Sequence, residues 1–367
     1  MRRWGEAHDW CGADPYDALN SPLAPALTLG SPLGRRLFTQ AVKLSPLNLR
    51  PPLLITPEWN AKAIGLVASG YAHLVAAGDE SAASHATRWL SWLESNHSGD
   101  DAGLAWGYPF EVQTRFFRYA RGAPNTIATT FVAHAFLDGA DLLADERWRR
   151  PAESASTYLS ERMLHRESSR EYFRYVQDEP QLVHNANLLA CSVLARVGRG
   201  DEATRALETS LAAQRPDGSW NYAEGQHGDW VDNFHTGYVL QSLAHCIAVR
   251  PEVERQLLDG LDYWERELFQ LDGTPRPAPG RDLPVDAHDY ATAIETWLAM
   301  PGDRSRTLGR ARHLADLLVE RMLDPRGFVW FQKRRYWTTK TPFVRWTTAP
   351  SFRALAALQA FDRLTDT

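Results

Sequence analysis

Two kinds of helix-length segment alternate along most of the chain, and they differ in how their hydrophobic residues are distributed. One kind is apolar on nearly all sides, as in AKAIGLVASGYAHLVAAG, from Ala61, and PNTIATTFVAHAFLDGADLL, from Pro124. The other kind carries Arg, Glu and Asp along one face, as in residues 146–164. An all-apolar helix is typical of a buried position, whereas an amphipathic helix covers a core with one face. The alternation therefore predicts inner helices that are each followed by an outer helix.

The pattern recurs at six inner-helix entrances, which lie near residues 58, 125, 184, 233, 286 and 346. Amphipathic outer helices are predicted after the first five entrances, at residues 82–95, 146–164, 201–214, 251–271 and 303–323. A helical unit that recurs at intervals of 49 to 67 residues indicates a repeat architecture. We therefore predict an all-α fold, an (α/α)6 toroid of six antiparallel helical hairpins. An open solenoid is the structural alternative, but neither end of the chain resembles the polar capping repeat that a solenoid needs.

The segments between the helices predict one elaborated and one plain end of the toroid. Long loops precede the inner helices, whereas connections such as 77–79 and 198–200 are short. Function is concentrated on loops that a rigid scaffold positions, so we expect the site at the mouth that the long loops surround. Residues 1–30 lack helical periodicity and are predicted to form an arm. Residues 31–367 are predicted to form a single toroid domain, which begins with a short helix at 33–44.

Composition and motifs exclude several classes of function. The 367 residues are 44% hydrophobic, with a net charge of −5 and a pI near 6.2, so the chain has no basic stripe for nucleic acid. Three scattered cysteines form no CxxC pair, and no apolar segment predicts a signal peptide or a membrane span. The sequence has no GxGxxG, P-loop, HExxH, GxSxG or zinc-type spacing. We therefore predict a cytoplasmic protein with no transmembrane segment, no cofactor and no metal.

Titratable side chains cluster at the inner-helix entrances, which the predicted toroid brings to one rim. An Asp there is most often a helix N-cap. A His in the first turn is not needed for capping, and a buried Tyr needs a partner for its hydroxyl even where it is only a core aromatic. A mouth lined by neutral His and Tyr is suited to proton transfer. The predicted catalytic residues are His235, Tyr238, His288, Tyr290, Asp232 and Asp286.

Aromatic, amide and basic residues near the same entrances are candidates for binding a substrate. Loop Trp and Tyr side chains could stack on sugar rings, with packing of the loops as the simpler alternative. Arg binds a carboxylate through two parallel hydrogen bonds, which suits Arg115 or Arg345 to a carboxylated ligand. The predicted substrate-binding residues are Glu58, Trp59, Trp106, Tyr108, Arg115, Asn125, His184, Asn185, Trp220, Asn233, Arg345 and Trp346.

Five segments carry a resemblance to known proteins: WGYPFEVQTR, APNTIATTFVAHAFLD, VHNANLLACSVLARVG, QRPDGSWNYAEG and VDNFHTGYVLQSL. Together they resemble a bacterial family associated with surface-polysaccharide gene clusters, over most of the chain from Glu58 to Arg345. More distantly, the pattern is similar to the six-hairpin glycosidase-like and polysaccharide lyase toroids and to the helical domain of glucuronyl C5-epimerases. Such lyases and epimerases first remove the C5 proton of a uronate with a Tyr or His. The resemblance implies this possibility for His235, Tyr238, His288 and Tyr290.

The leading hypothesis is a carbohydrate-active enzyme of bacterial polysaccharide metabolism that abstracts a proton from an anionic, uronate-containing glycan, as a lyase or C5-epimerase does. Its partner would be an oligosaccharide or polysaccharide precursor, and the oligomeric state is open. One alternative is a non-catalytic glycan-binding or scaffold protein. Another is a terpene-cyclase-like toroid, because QRPDGSW is similar to the QW motif, although the DxDD acid is absent. A third is a glycoside hydrolase with two carboxylates from Glu58, Glu111, Asp232, Asp286 and Asp289.

Overall fold

The protein is largely helical. A computed structural model describes residues 1–114, 118–225 and 227–366, with side chains as far as residue 364. No helix in these ranges is long and apolar enough to cross a membrane. In chain order the described helices are α1 (Arg2–Ala7), α2 (Ala24–Thr28), α3 (Pro32–Leu44), α4 (Ala61–Ala76), α5 (Ala82–Ser95), α6 (Thr126–Leu142), α7 (Arg149–Tyr158), α8 (His184–Arg196), α9 (Thr204–Ala212), α10 (Asn233–Cys246), α11 (Glu254–Glu267), α12 (Ala287–Ala299), α13 (Arg304–Met322) and α14 (Ala349–Asp366).

From α4 onwards, the even-numbered helices are inner helices and the odd-numbered ones are outer helices. Residues 61–72 of α4 and 126–140 of α6 are all buried, as their apolar sequences predict. Outer helices such as α11 and α13 bury residues along one face only. Asn60 and Asn125 cap α4 and α6 by accepting hydrogen bonds from backbone N–H groups of the first turn. The predicted alternation of inner and outer helices is confirmed.

The inner helices form a closed ring. Each packs against the next in the order α4, α6, α8, α10, α12 and α14, and α14 packs back against α4. Gly70 allows close approach of α4 to α14, because a Cβ there would lie 2.7 Å from the ring of Phe352, and a Cβ at Gly65 would be in van der Waals contact, at 3.4 Å, with the backbone of Val132 on α6. The closed ring confirms the (α/α)6 toroid and excludes the open solenoid.

The N-terminal segment supplies the outer layer beside α14, for which the sequence pattern offered no outer helix. Trp10 is buried, with its ring centroid 6.3 Å from that of Tyr71 on α4 and 4.9 Å from that of Phe352 on α14. Tyr71 donates a hydrogen bond of 3.0 Å to Glu6 on α1. The residues predicted to form an arm therefore cover the junction at which the ring closes.

The connections differ at the two ends of the ring, as predicted. Short links, such as 77–81 and 300–303, join inner helices to outer helices. Longer loops lead back to the inner helices, and parts of them pair as short antiparallel strands. These strands are β1 (Val112–Gln113) with β2 (Arg118–Tyr119), β3 (Leu164–Arg166) with β4 (Glu171–Phe173), and β5 (Val285–Asp286) with β6 (Gln332–Lys333), which also pairs with β7 (Thr338–Thr339).

A cluster of buried polar side chains, the axial cluster, fills the ring near its plain end. Asp138 of α6 accepts a hydrogen bond from Ser69 of α4. It also forms ion pairs with Arg196 of α8, at 3.0 Å, and Arg353 of α14, at 3.3 Å. Burial alone would raise the pKa of Asp138, but the two guanidinium groups hold it well below its usual range. One carboxylate thereby ties four inner helices together.

Acidification is expected to destabilise the axial cluster through its histidines. Burial, assisted by the charges of Arg196 and Arg353, lowers the pKa of His73 and of His245 to about 4. An unfolded chain protonates these imidazoles near pH 6.5. The stability that both groups contribute is therefore complete above pH 6.5 and is lost as the pH falls towards 4. At pH 5 the loss is about 2 kcal/mol for each histidine, at about 1.4 kcal/mol per pH unit.

Urea unfolding of the wild type and of His245→Gln at pH 7.5 and pH 5.0 tests this expectation. Between the two pH values, the free energy of unfolding should fall by about 2 kcal/mol less in the variant. His97 is exposed, so His97→Gln is a matched control that should keep the wild-type pH dependence. Equal pH dependence in the wild type and His245→Gln would show that the buried imidazole does not titrate as described.

Candidate active site

A cavity of about 880 Å³ opens at the end of the ring that the long loops surround. Its lining comes from the first turns of α4, α6, α8, α10 and α12, from the π-helical turn Val344–Thr348 that precedes α14, and from α3 and the loops. The volume lies in the range of small-molecule sites. Nine predicted site residues line it: Tyr108, Asn185, Asp232, His235, Tyr238, Asp286, His288, Arg345 and Trp346.

Asp232 and His235, at the start of α10, combine a helix cap with an oriented imidazole. Asp232 accepts the backbone N–H of His235 at 3.0 Å, and its Oδ2 accepts a hydrogen bond of 2.8 Å from His235 Nδ1. A proton on Nδ1 leaves a lone pair on Nε2 of the neutral ring. No described residue bonds to Nε2, and His235 lines the cavity. This nitrogen is therefore free to accept a proton.

Tyr238 of α10 and His288 of α12 form a second pair. Tyr238 Oη and His288 Nε2 are 2.8 Å apart, and His288 Nδ1 lies 2.7 Å from the carbonyl oxygen of Trp346. Because a carbonyl only accepts, Nδ1 carries the proton and Tyr238 donates to Nε2. Burial, with the charges of Lys62 and Arg345, lowers the pKa of His288 well below its usual range, and burial raises the pKa of Tyr238. The pair is neutral, and its hydroxyl is a proton donor.

Aromatic rings surround both pairs. Tyr222 and Trp230 stack with 4.3 Å between their centroids, and the Tyr222 centroid lies 4.6 Å from that of His235. The Phe234 ring contacts both imidazoles, with centroid distances of 3.9 Å to His235 and 4.9 Å to His288. These rings limit the access of water to the imidazoles and present flat apolar surfaces to a ring-shaped ligand.

Two buried carboxyl groups of the cavity differ in their partners. Asp286 accepts the backbone N–H of His288 at 2.9 Å, which caps α12, and a hydrogen bond of 2.6 Å from the Gln332 side chain. Asp289 is 2% exposed and forms no ion pair with a described residue. Burial, and then the charges of Asp286 and Asp232, raise the pKa of Asp289 well above its usual range. Both effects favour the protonated form of Asp289.

Arg345 lines the cavity, but its guanidinium group is already engaged. Its Nε and Nη2 donate to the Asp14 carboxylate at 2.5 and 2.7 Å, and both side chains are buried. The group also lies 4.7 Å from the centroid of the Tyr108 ring. Asp14 thus takes the place of the ligand carboxylate that was predicted for Arg345, and the pair fastens the N-terminal segment to the cavity wall. Arg115 lies outside the described residues.

Lys62 is a cavity residue that the predicted set does not contain. It is the second residue of α4, is 4% exposed, and places Nζ 3.8 Å from the centroid of the Phe131 ring and 5.2 Å from that of Tyr238. The sequence carries a signal for it, because residues 61–78 contain no other Lys, Arg, Asp or Glu. A charge within an all-apolar inner helix is costly to bury, which marks the position as one with a purpose other than packing.

Three predicted substrate-binding residues anchor the outer layer and do not line the cavity. Trp106 and Trp220 are buried and donate from Nε1 to the carbonyl groups of Leu93, at 3.0 Å, and Ser210, at 2.8 Å. His184 Nδ1 lies 3.1 Å from Ser210 Oγ, and burial lowers the pKa of His184 to about 4. Because these polar atoms are satisfied by the protein itself, they are not presented to a ligand.

Three further predicted binding residues have partners within the protein and do not line the cavity. Glu58 forms an ion pair with Arg121, and Trp59 is 41% exposed and donates to the carbonyl oxygen of Asp9 at 2.8 Å. Asn125 is turned back onto its own helix, where it caps α6. The cavity lining contains none of the three.

Asn233 and Tyr290 also lie outside the lining, because of helical phase. Each is two residues from a histidine that lines the cavity, His235 or His288, and two residues turn a helix by about 200°. Asn233 Nδ2 donates to the carbonyl oxygen of Leu268 at 2.6 Å in the outer layer. Tyr290 is buried away from the cavity, so the structure does not place it for the catalytic role that the sequence predicted.

No family model matches this chain, and no curated protein matches it. A sugar epimerase from a ruminal bacterium has a similar structure, with a TM-score of 0.59 at 14% identity over 83% of this chain and 87% of that chain. An unsaturated glucuronyl hydrolase specific for heparin gives 0.62 at 13% identity, over 85% and 88%. A polysaccharide lyase gives 0.56 at 10% identity, over 84% and 91%. The protein shares their (α/α)6 toroid. The toroid predicted from the sequence resemblance is thereby confirmed. At these identities the likeness establishes the fold alone.

Within the described part of this toroid, no group of three or more His, Cys, Asp or Glu side chains is arranged to hold a metal ion. The cavity instead brings together proton-transfer groups from two neighbouring inner helices, α10 and α12, with a lysine from α4. Chemically, the arrangement can accept a proton at His235 Nε2 and donate one from the Tyr238 hydroxyl.

Proposed function

We propose that the protein is a carbohydrate-active enzyme that removes the C5 proton from a uronate residue of a glycan, as an epimerase or a lyase. The proposal rests on the convergence of two proton-transfer pairs, Asp232–His235 and Tyr238–His288, on one cavity of sugar-accommodating size. Structural neighbours that are a sugar epimerase, a polysaccharide lyase and a glucuronyl hydrolase support a carbohydrate substrate. The sequence resemblance supports a role in polysaccharide metabolism.

Proton removal requires a base with a free lone pair, and His235 Nε2 meets that requirement. In the proposed reaction the C5–H bond breaks, the proton moves to His235 Nε2, and Asp232 stabilises the imidazolium that forms. The electron pair of the broken bond delocalises into the carboxylate as an enediolate. Tyr238 lies three residues further along the same face of α10, so both groups reach one bound sugar ring.

The Tyr238 hydroxyl supplies the second proton in either outcome. Delivered to C5 on the opposite face of the ring, the proton gives the epimer. Delivered to the oxygen at C4 as the C4–O bond breaks, it gives an unsaturated uronate and a new hydroxyl end. In both cases His235 has gained one proton and Tyr238 has lost one, and exchange with water restores both residues.

Beside its three aspartates, the cavity lining contains basic residues that could face an anionic substrate. Arg36, Lys43 and Lys62 line the cavity, and no carboxylate of a described residue lies within 4 Å of their side-chain nitrogens. The N-termini of the inner helices around the cavity add partial positive charge. A uronate carboxylate would provide the negative charge that these groups lack.

Incubation with uronate-containing oligosaccharides in deuterated water tests the proposal. NMR reads deuterium at C5, and ultraviolet absorbance reads the conjugated double bond of an unsaturated uronate. Deuterium without a double bond is expected of an epimerase, and a double bond of a lyase. New reducing ends without deuterium at C5 and without a double bond would show that the enzyme is a hydrolase and does not abstract the C5 proton. If the folded protein changes none of these substrates, the result would favour a glycan-binding protein over an enzyme.

A glycoside hydrolase is the second candidate, and Asp289 is the observation that favours it. A protonated carboxyl group within a sugar-sized cavity is the general acid that glycoside cleavage uses. Burial and the neighbouring carboxylates of Asp232 and Asp286 raise the pKa of Asp289 and so favour that form. One of those two neighbours would then act as the second carboxylate of the reaction.

The variant Asp289→Asn separates the two candidates. Asparagine has no acidic proton to donate, so a hydrolase should release reducing ends at least about 100-fold more slowly. For proton abstraction by His235, the loss of C5 exchange should be about tenfold or less. Asp262 is exposed on α11, and Asp262→Asn is the matched control that should keep the wild-type rate of either reaction. A loss of C5 exchange of 100-fold in Asp289→Asn would contradict the assignment of His235 as the base.

A further inference from the structure

Lys62 is buried in the cavity wall without a partner for its charge. No hydrogen-bond acceptor or carboxylate of a described residue lies within bonding distance of its Nζ, although the residue is only 4% exposed. Its close neighbours are the rings of Phe131 and Tyr238, at 3.8 and 5.2 Å from Nζ to the centroids. Aromatic faces replace only part of the hydration that an ammonium group loses on burial. The structure leaves the charge of Lys62 to be matched by a ligand.

Lys62 also differs from the second lysine of the cavity in its surroundings. Lys43 donates a hydrogen bond of 2.8 Å to the hydroxyl of Tyr16, so it has a polar partner within the protein. Lys62 instead lies beside the proposed reaction centre, because its Nζ is over the Tyr238 ring and its charge lowers the pKa of His288. An anion bound at Lys62 would therefore be held next to the Tyr238–His288 pair.

We propose that Lys62 binds the carboxylate of a uronate ligand and thereby positions the adjacent carbon at the Tyr238–His288 pair. The inference rests on the proposed function, which it deepens by assigning recognition of the acidic sugar to one residue. C5 is bonded to the carboxylate carbon, so a carboxylate held at Lys62 lies one bond from the atom that loses its proton. A neutral sugar of the same shape lacks this anchor, and its affinity should be about ten- to a hundredfold lower.

Carboxylate binding at Lys62 is expected to be linked to the uptake of a proton. Burial, and then the charge of Arg345, lower the pKa of Lys62 well below its usual range, and the opposing effects of Glu295 and Asp14 are smaller. A carboxylate beside the amine favours its charged form. A bound anion therefore shifts Lys62 towards its charged form, so that protons are taken up together with the ligand. The charged or titratable groups that face Lys62 are Arg345, Glu295, Asp14, Tyr238 and His288.

Isothermal titration calorimetry with methyl β-D-glucuronide and methyl β-D-glucoside, in two buffers of different ionisation enthalpy near pH 8, tests the proposal. The wild type should bind the glucuronide at least about tenfold more tightly and take up a proton as it does so. Lys62→Met should abolish both effects. Lys62→Arg should keep the preference but lose the proton uptake, because Arg stays charged. Lys340 is exposed and outside the cavity lining, so Lys340→Met should retain both effects.

A Lys62→Met variant that unfolds at the wild-type temperature and keeps the preference would overturn the proposal, as would a wild type that binds both glycosides equally. If Lys62→Met does not fold, Lys62→Arg still decides, because unchanged proton uptake in that variant would also overturn it. These readouts do not depend on turnover. If the wild type prefers the glucuronide through Lys62 but exchanges C5 of no substrate, the proposed reaction is rejected and the role of Lys62 stands. If C5 exchanges but the preference does not depend on Lys62, the reaction stands and the role of Lys62 is rejected.

Discussion

Replacing His235 by alanine is expected to lower the rate of C5–H exchange by about 10²- to 10⁴-fold, the range that a positioned general base contributes. Its Nε2 carries a free lone pair, whereas His288 Nε2 already accepts the Tyr238 hydroxyl. The remaining histidine of the described cavity lining, His227, lies in a loop and not on an inner helix. The measurement is deuterium incorporation at C5 of a uronate oligosaccharide, followed by NMR.

Two controls make the His235→Ala result specific. Imidazole added to the buffer should restore part of the exchange, because the deleted ring leaves space beside Asp232. The urea midpoint should stay close to that of the wild type, since the ring is partly exposed and its polar contacts are with Asp232 alone among the described residues. Exchange at the wild-type rate in His235→Ala would remove His235 from the mechanism.

Asp232 can be a helix cap, an orienting group or both, and Asp232→Asn distinguishes these roles. Asparagine is as good an N-cap as aspartate, so the start of α10 should be retained. The amide cannot stabilise an imidazolium by charge, and it can also turn its NH2 group towards the ring, which would favour the wrong tautomer. If Asp232 orients His235, the variant should exchange C5–H more slowly at unchanged stability. Reduced stability with a normal exchange rate would show that Asp232 acts only as a helix cap.

The fold followed from the sequence because the two helix types differ in hydrophobic pattern along their whole length. The helix predicted at 82–95 has the bounds of α5, and the pattern at 146–164 resolves into α7 and a π-helical turn. Closure of the ring could be anticipated from the small residues of the inner helices, such as Gly65 and Gly70, which allow close packing. The outer cover beside α14 could not, because it comes from the other end of the chain.

Nine of the predicted site residues line the cavity, and helical phase separates them from two of the others. His235 and Tyr238 are three residues apart and line one face of α10, as i and i+3 residues do. Asn233 and Tyr290 are each two residues from a cavity-lining histidine, so their side chains lie on the opposite face of the helix, away from the cavity. Applied at each entrance, the same period would have removed both from the predicted set.

Other features of the cavity depend on contacts that no local pattern records. Arg345 is paired with Asp14, which is 331 positions away in the chain, so its sequence context gave no sign that the guanidinium is engaged. Lys62 did have a local sign, as the lone charged residue of an apolar helix, but its proximity to Tyr238 required the ring to close. The structure thus pairs Arg345 with a carboxylate of the protein and leaves Lys62 in the cavity lining, which is why the proposed recognition of a carboxylate is assigned to Lys62.

Breaking the Arg345–Asp14 pair is expected to have the largest effect on stability. Both side chains are buried and joined by hydrogen bonds of 2.5 and 2.7 Å, so Arg345→Met would leave the Asp14 carboxylate buried without its counter-charge. Removal of one partner of a buried ion pair lowers the free energy of unfolding by about 3–5 kcal/mol. The loss should appear in urea unfolding at pH 7.5, with the N-terminal segment released from the cavity wall.

Two comparison variants show why the effect belongs to the buried pair. Arg266→Met removes an exposed pair with Asp262 and should cost about 1 kcal/mol or less. Adding Asp14→Asn to Arg345→Met should restore part of the lost stability, because the uncompensated charge is then gone. If Arg345→Met instead kept wild-type stability and lost the preference for glucuronide over glucoside, Arg345 would be the carboxylate-binding residue, and Asp14 would be the group that a bound uronate displaces.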